Sequence, residues 1–352
     1  MIEIQGLTKR YGSKLAVDRI SFSVGKGEIV GFLGPNGAGK STTMNIITGY
    51  LSATEGRVLI DGHEILEEPT EAKKCIGYLP EQPPLYQDMT VWEYLNFIYE
   101  LKKAKTASRT KHLETVCGMV KIGHVKDRLI SNLSKGYKQR VGIAQALIGN
   151  PEVLILDEPT VGLDPNQIIE IRSLIKSLSR NHTVILSTHI LSEVQSVCDR
   201  VIIINQGVIV ADDTERNLSE KLSKDKRYTL RVKAAQTDAL TALSRLEKVD
   251  SVRPHGQKEP GVFEFLIQPK ENQDIREDVF ELLRERDWPM LEFKHNAMDL
   301  EDIFIRLTDP TVAESIAREN RKEEQQNQPE EKSKFRKLFG PKDETEKEEE
   351  SK

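Results

Sequence analysis

The sequence has 352 residues, 38% hydrophobic and 30% charged, with a formal net charge of -5 at pH 7. At roughly 150 residues per domain, this length predicts about two domains. The longest apolar runs are about six residues, far short of the roughly 20 that span a bilayer, which excludes an integral membrane protein. Without a basic excess, we expect no nucleic-acid partner. The amino terminus, MIEIQGLTKRYG, lacks the features of a secretion signal, so we expect cytoplasmic residence.

Residues 1–220 alternate short apolar segments with longer helical ones and glycine-containing turns, which predicts a mixed α/β domain. The segments MIEIQG, KLAVDRISFSV and RVLIDG alternate apolar and polar residues and predict a flanking antiparallel sheet. Helices are predicted within 90–150, inserted between two central strands. Those central strands are continuous apolar runs, typical of burial on both faces: EIVGFLG (28–34), EVLILDEP (152–159), HTVILSTH (182–189) and RVIIINQG (200–207).

Residues 221–308 follow a different order, in which strand, helix, strand, strand, helix and strand succeed one another. This order predicts a small α+β domain of the ferredoxin-like type, with two helices on one face of a four-stranded antiparallel sheet. The segment LEDIFIRLT at 300–308 has apolar residues at helical spacing, and we expect it to form a closing helix.

The segment 309–352 is rich in Glu, Lys, Gln and Pro and poor in aromatic residues, so we expect a disordered tail. Within it, KSKFRKLFG (332–340) mixes basic with aromatic residues. Two interpretations stay open for this stretch: binding to an anionic membrane surface, and a locally neutralised part of the tail.

The string GPNGAGKS at 34–41 fits the phosphate-binding pattern G-x-x-x-x-G-K-[ST] and lies between an apolar strand and a helical run. Its glycines permit a tight turn whose N–H groups point at phosphate oxygens, and the following helix adds its positive dipole end. Lys40 is expected to bridge the β- and γ-phosphates, and Ser41 to coordinate magnesium. The alternative is a glycine-rich turn with a solvated lysine.

A magnesium site of this kind also needs a hard oxygen ligand, which we expect at the end of a neighbouring buried strand. The segment VLILDEPT supplies it. Asp157 is placed to hold magnesium through its water shell, and Glu158 is placed to polarise a water in line with the γ-phosphate. The alternative is a pair of acids that caps the strand end.

The segment LSKGYKQRVGIAQAL at 133–147 resembles the signature sequence of the ATP-binding cassette (ABC) ATPases, and as in that family it lies just upstream of VLILDEPT. Other motifs follow the family order: Tyr11 resembles the adenine-stacking residue, Gln82 in YLPEQPPLY the Q-loop, Asp164 in GLDP the D-loop, and His189 in LSTHIL the switch histidine. Without the family context, each residue has another interpretation. These are a packed aromatic for Tyr11, a polar turn residue for Gln82, a turn initiator for Asp164 and an imidazole at a strand end for His189.

The resemblance implies a P-loop NTPase fold with a RecA-like core, an antiparallel β subdomain and a helical subdomain. ATP and Mg²⁺ are the implied cofactors. The implied catalytic residues are Glu158, His189 and Gln82, and the implied metal ligands are Ser41, Gln82 and Asp157. The implied nucleotide-binding residues are Tyr11, Gly34, Asn36, Gly37, Ala38, Gly39, Lys40, Ser41, Thr42, Ser134, Gly136 and Asp164.

Two positions depart from the commonest LSGGQ form of the signature, because Lys135 replaces Gly and Tyr137 replaces Gln. Ser134 keeps its hydroxyl, and Gly136 keeps an accessible N–H at the helix start. Lys135 either strengthens ATP binding or projects to solvent, and the sequence leaves both open. In the family, the signature contacts the γ-phosphate bound by a second cassette. The resemblance therefore implies a second ABC ATPase subunit, expected in a homodimer that closes on ATP and opens after hydrolysis.

The resemblance also implies what the ATPase serves. A single cassette without a membrane span implies a peripheral subunit on the cytoplasmic face of the membrane, which works with a separate integral membrane permease. YLPEQPPLY, LSKGY and MDLEDIFIRLT resemble the export-type subfamily with a small C-terminal domain. The alternative is a soluble ABC ATPase that acts on ribosomes or nucleic acid. Such members carry long coiled coils or two cassettes in one chain, and this sequence shows neither pattern.

The predicted helical insert begins with the aromatic-rich segment PPLYQDMTVWEYLNFIYEL. One interpretation is a groove that receives a cytoplasmic helix of the permease, because large aromatic anchors are typical of interface hot spots. The other is core packing of the insert itself.

Overall fold

The computed structural model describes residues 2–222, 227–270, 273–296, 300–309, 311–312 and 314–315. Most of the predicted tail at 309–352, including the segment 332–340, lies outside these described residues. In the described part, three β-sheets are flanked by helices. None of the described helices combines the length and apolar character needed to cross a membrane.

The chain forms strands and helices in the following order. The strands are β1 Ile2–Tyr11, β2 Lys14–Val24, β3 Ile29–Leu33, β4 Glu55–Ile60, β5 His63–Glu64, β6 Ile76–Leu79, β7 Val153–Asp157, β8 Thr183–Thr188, β9 Arg200–Asn205, β10 Val208–Asp213, β11 Arg227–Lys233, β12 Val249–Glu259, β13 Val262–Pro269 and β14 Met290–Asn296. The helices are α1 Lys40–Ile47, α2 Pro69–Lys74, α3 Val91–Leu101, α4 Arg109–Met119, α5 Lys135–Leu147, α6 Pro165–Leu178, α7 Leu191–Val197, α8 Glu215–Leu222, α9 Gln236–Leu243, α10 Arg276–Glu285 and α11 Leu300–Leu307.

The central sheet has the strand order β10-β9-β3-β8-β7-β6, in which β10 is antiparallel to β9 and the other five strands are parallel. Every residue of β3, β7 and β8 is buried, which confirms the burial on both faces predicted from the continuous apolar runs. The predicted set of central strands lacked β6 and β10. At Gly77 in β6, a Cβ would lie 2.3 Å from the Ala146 carbonyl oxygen, so glycine permits close approach of the α5 end to this strand.

The second sheet is antiparallel, with the strand order β2-β1-β4-β5, and it contains the three segments predicted for a flanking sheet. Its apolar face shares one core with α1 and with β3, β7, β8 and β9 of the central sheet. Because the two sheets enclose α1 between them, the residues just before that helix lie where both sheets meet.

Helices α3, α4 and α5 fall within the predicted helical stretch 90–150, between β6 and β7 in the chain, and share one core with the central sheet. The Thr90 hydroxyl caps α3, and the Glu93 carboxylate accepts from the Thr90 N–H in a reciprocal capping box. The Lys102 ammonium after α3 donates to the carbonyls of residues 145, 146 and 148, at 2.9, 3.2 and 3.1 Å. Lys102 therefore satisfies carbonyls that the end of α5 leaves without helical partners.

The third sheet is antiparallel, with the order β12-β13-β11-β14, and α9 and α10 pack on one of its faces. The succession of strands and helices is the predicted one, whereas assignment to the ferredoxin-like type stays a prediction. Helix α11 forms where its apolar spacing predicted, but none of its described residues belongs to the core of the third sheet. Its residues Leu300, Ile303 and Leu307 share a core with α7, α8 and β9.

Replacement of Lys102 by Met should destabilise the fold by about 1–3 kcal/mol, because three carbonyls at the end of α5 lose their donor. Chemical denaturation of the full chain measures this free energy of unfolding. Lys111→Met is the matched control, since Lys111 is an exposed lysine on α4. An equal change in both variants would contradict the capping role of Lys102.

Candidate nucleotide-binding site

A cavity of about 370 Å³ opens where the carboxyl ends of β3 and β7 meet the first turn of α1. Ligand sites of open α/β sheets characteristically lie at this edge. Its lining residues are Tyr11, Lys14, Ala16, Asn36, Gly37, Gly39, Lys40, Ser41, Thr42, Glu81, Glu158, Val161 and His189. The sequence predicted nine of these positions and missed Lys14, Ala16, Glu81 and Val161.

The loop from Gly34 to Gly39 requires glycine at specific points. At Gly34, a Cβ would lie 2.3 Å from the Ile204 carbonyl oxygen, and at Gly39, a Cβ would lie 2.8 Å from the Ala16 carbonyl oxygen. Gly37 and Gly39 also have φ values of 79° and 113°, which side-chain-bearing residues rarely adopt. The predicted tight turn is thus present, pressed between the backbones of β9 and β2.

The start of α1 has the features of an anion site. Its N-cap, Gly39, provides no side-chain hydrogen bond, and its first turn contains no acidic residue. The amide dipoles therefore remain available to a phosphate. The Lys40 ammonium is buried and donates to the Gly34 and Pro35 carbonyls at 2.8 and 3.2 Å. Burial lowers the pKa of Lys40, and nearby carboxylates, of which Glu158 has the largest effect, oppose that shift.

Asp157, the last residue of β7, does not line the cavity and has 3% of its surface exposed. Among the residues that the structure describes, its buried Oδ1 has no hydrogen-bond partner. Burial raises the pKa of Asp157, and the Ser187 and Ser41 hydroxyls oppose that shift. An orphaned carboxylate oxygen beside the Ser41 hydroxyl fits a hard divalent cation such as Mg²⁺. The predicted buried strand is β7, which β8 separates from β3 in the same sheet.

Glu158 follows Asp157 with a φ of 49°, an uncommon conformation that turns its side chain into the cavity. Its N–H donates to the Ser187 carbonyl at 2.9 Å, and its two carboxylate oxygens each lie 2.9 Å from Nδ1 of His189. Burial raises the pKa of Glu158, and the hydrogen bond with His189 opposes that shift. The structure thus joins two of the three predicted catalytic residues in one hydrogen-bonded pair.

Tyr11 lies at the cavity mouth with 49% of its surface exposed, and the Lys9 ammonium lies 5.4 Å from the centre of its ring. An exposed ring is free to stack on a planar ligand, which argues against the packed-aromatic alternative. Lys14 lies beside it at the start of β2. Lys14 was not predicted as a site residue, and its position three residues after Tyr11 was the available sequence signal.

Gln82 does not line this cavity. It is exposed in the loop after β6, and the preceding residue, Glu81, faces the cavity in its place. The structure therefore does not bring Gln82 to the predicted metal site in this conformation. Two other predicted residues, Gly34 and Ala38, are also absent from the lining and form the buried backbone support of the loop.

The signature residues line a second cavity, of about 280 Å³, and do not meet Lys40. The lining residues of this cavity are Lys121, His124, Ser134, Gly136, Tyr137, Arg140, Gln167 and Glu170. Ser134 caps α5, and its hydroxyl accepts from the Tyr137 N–H at 3.4 Å. Asp164 caps α6, and its carboxylate accepts from the Gln167 N–H at 2.9 Å. The predicted nucleotide-binding residues therefore fall into two separate groups.

Lys135 lies against Gly162, because a Cβ at that glycine would overlap the lysine ammonium. Gly162 belongs to the turn that precedes Asp164, and its φ of 70° favours glycine. Lys135 is also an exposed residue, so both alternatives for its side chain stay open. Tyr137, the other departure from the common signature, shares a 3.0 Å hydrogen bond with His124.

Comparison with known proteins places the chain in a family. Residues 17–161 match the model described as ABC transporter. The uncharacterized ABC transporter ATP-binding protein YhcH of Bacillus subtilis (strain 168) is 34% identical over 321 residues, which cover 89% of this chain and 98% of that protein. The chain belongs to the ABC transporter ATP-binding proteins. The predicted ABC fold and ATPase activity are therefore confirmed.

Further relatives and solved structures of this family are similar to this chain. The linearmycin resistance ATP-binding protein LnrL of Bacillus subtilis (strain 168) is 38% identical, over 72% of this chain and 82% of that protein. The bacitracin transport ATP-binding protein BcrA of Bacillus licheniformis is 39% identical, over 65% and 75%. The dimeric ABC cassette MJ0796 in a post-hydrolysis state, bound to ADP and Pi, matches with a TM-score of 0.55 and 28% identity, over 61% and 98%.

Replacement of Gly39 by Ala should weaken nucleotide binding by this ABC protein at least tenfold, because the loop must shift away from the Ala16 carbonyl and loses its φ of 113°. Titration with a fluorescent ATP analogue measures the affinity. Gly118→Ala is the matched control, since a Cβ at this exposed position in α4 meets nothing within 4 Å. Unchanged affinity in Gly39→Ala would refute the loop as the phosphate cradle.

Proposed function

We propose that this chain is the ATPase subunit of an exporter, and that two copies close around ATP to drive export through a separate membrane permease. The observation that carries the proposal is the separation of the two half-sites, because Lys40 and Ser134 line different cavities of one chain. A complete site then needs the Lys40 cavity of one copy and the Ser134 cavity of another. A dimeric cassette among the similar structures supports this arrangement.

Export is supported by the relatives, which include a linearmycin resistance protein, a bacitracin transport protein and a lantibiotic transport protein. We extend that class of activity to this chain and place it on the cytoplasmic face of the membrane. A soluble ATPase acting on ribosomes or nucleic acid is not favoured, since the named relatives are transport and resistance proteins.

In the proposed site, the loop amides at 37–42 and the Lys40 ammonium hold the phosphates, and Tyr11 stacks on the adenine. Ser41 and Asp157 would hold Mg²⁺, and the orphaned Oδ1 of Asp157 supports this assignment. When bound, the cation neutralises charge on the β- and γ-phosphates. This charge stabilisation is one of the main requirements of phosphoryl transfer.

Glu158 orients and deprotonates the attacking water, and His189 holds the Glu158 carboxylate in place. The raised pKa of Glu158 brings this base closer to neutral pH, which suits a group that accepts a proton during turnover. Gln82 is proposed to approach the γ-phosphate only on closure of the dimer, since its loop keeps it exposed in the free chain.

The second half-site presents Ser134 and Gly136 to the γ-phosphate of the other copy, and Asp164 lies at the dimer interface. For the whole chain, we propose an ATP-binding domain at 1–220 and a small ferredoxin-like domain at 221–308. The antiparallel order β12-β13-β11-β14, with both helices on one face, supports the ferredoxin-like type.

Replacement of Glu158 by Gln should lower ATP turnover by about two to three orders of magnitude, because the amide keeps the shape of the side chain but cannot accept the proton. ATP should still bind, so the variant should accumulate as an ATP-bound dimer. Phosphate release and size-exclusion chromatography with ATP and Mg²⁺ measure the two effects.

Glu152→Gln is the matched control, an exposed glutamate just before the other end of β7, and it should retain wild-type turnover. The Glu158→Gln protein also serves to test the permease. An affinity pull-down from detergent-solubilised membranes with ATP and Mg²⁺ should recover a polytopic membrane protein. Recovery of ribosomes or DNA alone, or undiminished turnover in Glu158→Gln, would overturn the proposal.

A further inference from the structure

A buried carboxylate lies behind the catalytic pair, among residues that do not line either cavity. Glu193 in α7 has only 1% of its surface exposed. The Thr160 hydroxyl donates to its Oε1, and the Thr188 hydroxyl donates to its Oε2 at 2.7 Å. A buried carboxylate is costly unless it is hydrogen-bonded, so these two threonines account for its presence in the core.

The two threonines belong to the two segments that hold the catalytic pair. Thr160 lies two residues after Glu158, and Thr188 immediately precedes His189. The segments are therefore joined by the Glu158 N–H, which donates to the Ser187 carbonyl, by the 2.9 Å contact between Glu158 and His189 in the cavity, and by Glu193 behind it. Because Glu158 has a φ of 49°, its conformation needs support from the surrounding structure.

The hydroxyl proton of Thr188 is directed to Glu193 by a second contact. The N–H of Ile190 donates to the Thr188 oxygen at 3.1 Å, so that oxygen serves as an acceptor there and its proton is free to reach Glu193. From α6, Arg172 places Nη2 3.9 Å from Oε1 of Glu193 and donates to the Ser192 hydroxyl at 3.0 Å. Glu193 thus contacts three separate segments of the chain.

We propose that Glu193 is a positioning residue for ATP hydrolysis, which fixes the segments of Glu158 and His189 relative to each other. This inference rests on the proposed roles of that pair. The phosphate loop and Tyr11 lie on other elements, so loss of Glu193 should affect the chemical step and leave ATP binding nearly unchanged. A misplaced catalytic group costs rate even when binding persists.

The test is steady-state ATP hydrolysis by full-length Glu193→Gln. The amide keeps the volume of the side chain. In the wild type the Thr160 and Thr188 hydroxyls both donate to the carboxylate, whereas in the variant one of them faces an NH₂ donor. We expect kcat to fall by about ten- to a hundredfold, and KM for ATP to stay within about twofold of wild type. Glu215→Gln, an exposed glutamate at the start of α8, is the matched control and should keep wild-type kcat.

Thr160→Val and Thr188→Val keep the inference testable if Glu193→Gln fails to fold. Each should lower kcat without raising KM, and each should add little to Glu193→Gln, since the three residues act as one unit. A folded Glu193→Gln with wild-type kcat, or fully additive effects of the threonine variants, would overturn the inference. Glu158→Gln measured in parallel separates the role of Glu193 from the role of Glu158. Undiminished turnover in Glu158→Gln would refute the role assigned to Glu158.

Discussion

The phosphate loop lies so close to two strand backbones that two of its positions have no room for a side chain. Gly34 lies against the carbonyl of Ile204 in β9, and Gly39 lies against that of Ala16 in β2. Since β2 belongs to the antiparallel sheet and β9 to the central sheet, this one loop is held by both. The same arrangement explains why Tyr11, from the first strand of the antiparallel sheet, reaches the mouth of a cavity built on the central sheet.

Charge burial in the cavity links stability to ligand binding. Lys40, Asp157 and Glu158 are all more than nine-tenths buried, and burial shifts each pKa toward the neutral form. Buried charges of this kind generally reduce stability unless a partner compensates for their lost hydration. A triphosphate beside Lys40 and a divalent cation beside Asp157 are such partners. Ligand binding would then stabilise the folded chain, as linkage requires for any ligand that prefers the native state.

The central strands and the phosphate loop could be predicted because their signals are local. Continuous apolar runs identify strands buried on both faces, and glycine spacing identifies the loop. The strand Ile76–Leu79 escaped prediction because four residues that include Gly77 form too short a pattern. Gln82 was predicted at the site, but Glu81 lines the cavity. Which of the two neighbours faces the cavity depends on the backbone direction of the loop, which composition does not encode. Helix α11 shows the same limit, since its spacing predicted the helix and not the surface that it covers.

Helix α6 has residues near both cavities of the chain. Near its start, Gln167 lines the cavity of the signature residues, and about one and a half turns later Arg172 contacts Glu193 behind the Glu158–His189 pair. The same helix is capped by Asp164, and Lys135 of the signature helix lies against the turn before that cap. A series of neighbouring groups therefore extends from the segment of Glu158 to the signature surface. In a dimer whose copies share each ATP, such a connection would let hydrolysis in one site act on the other.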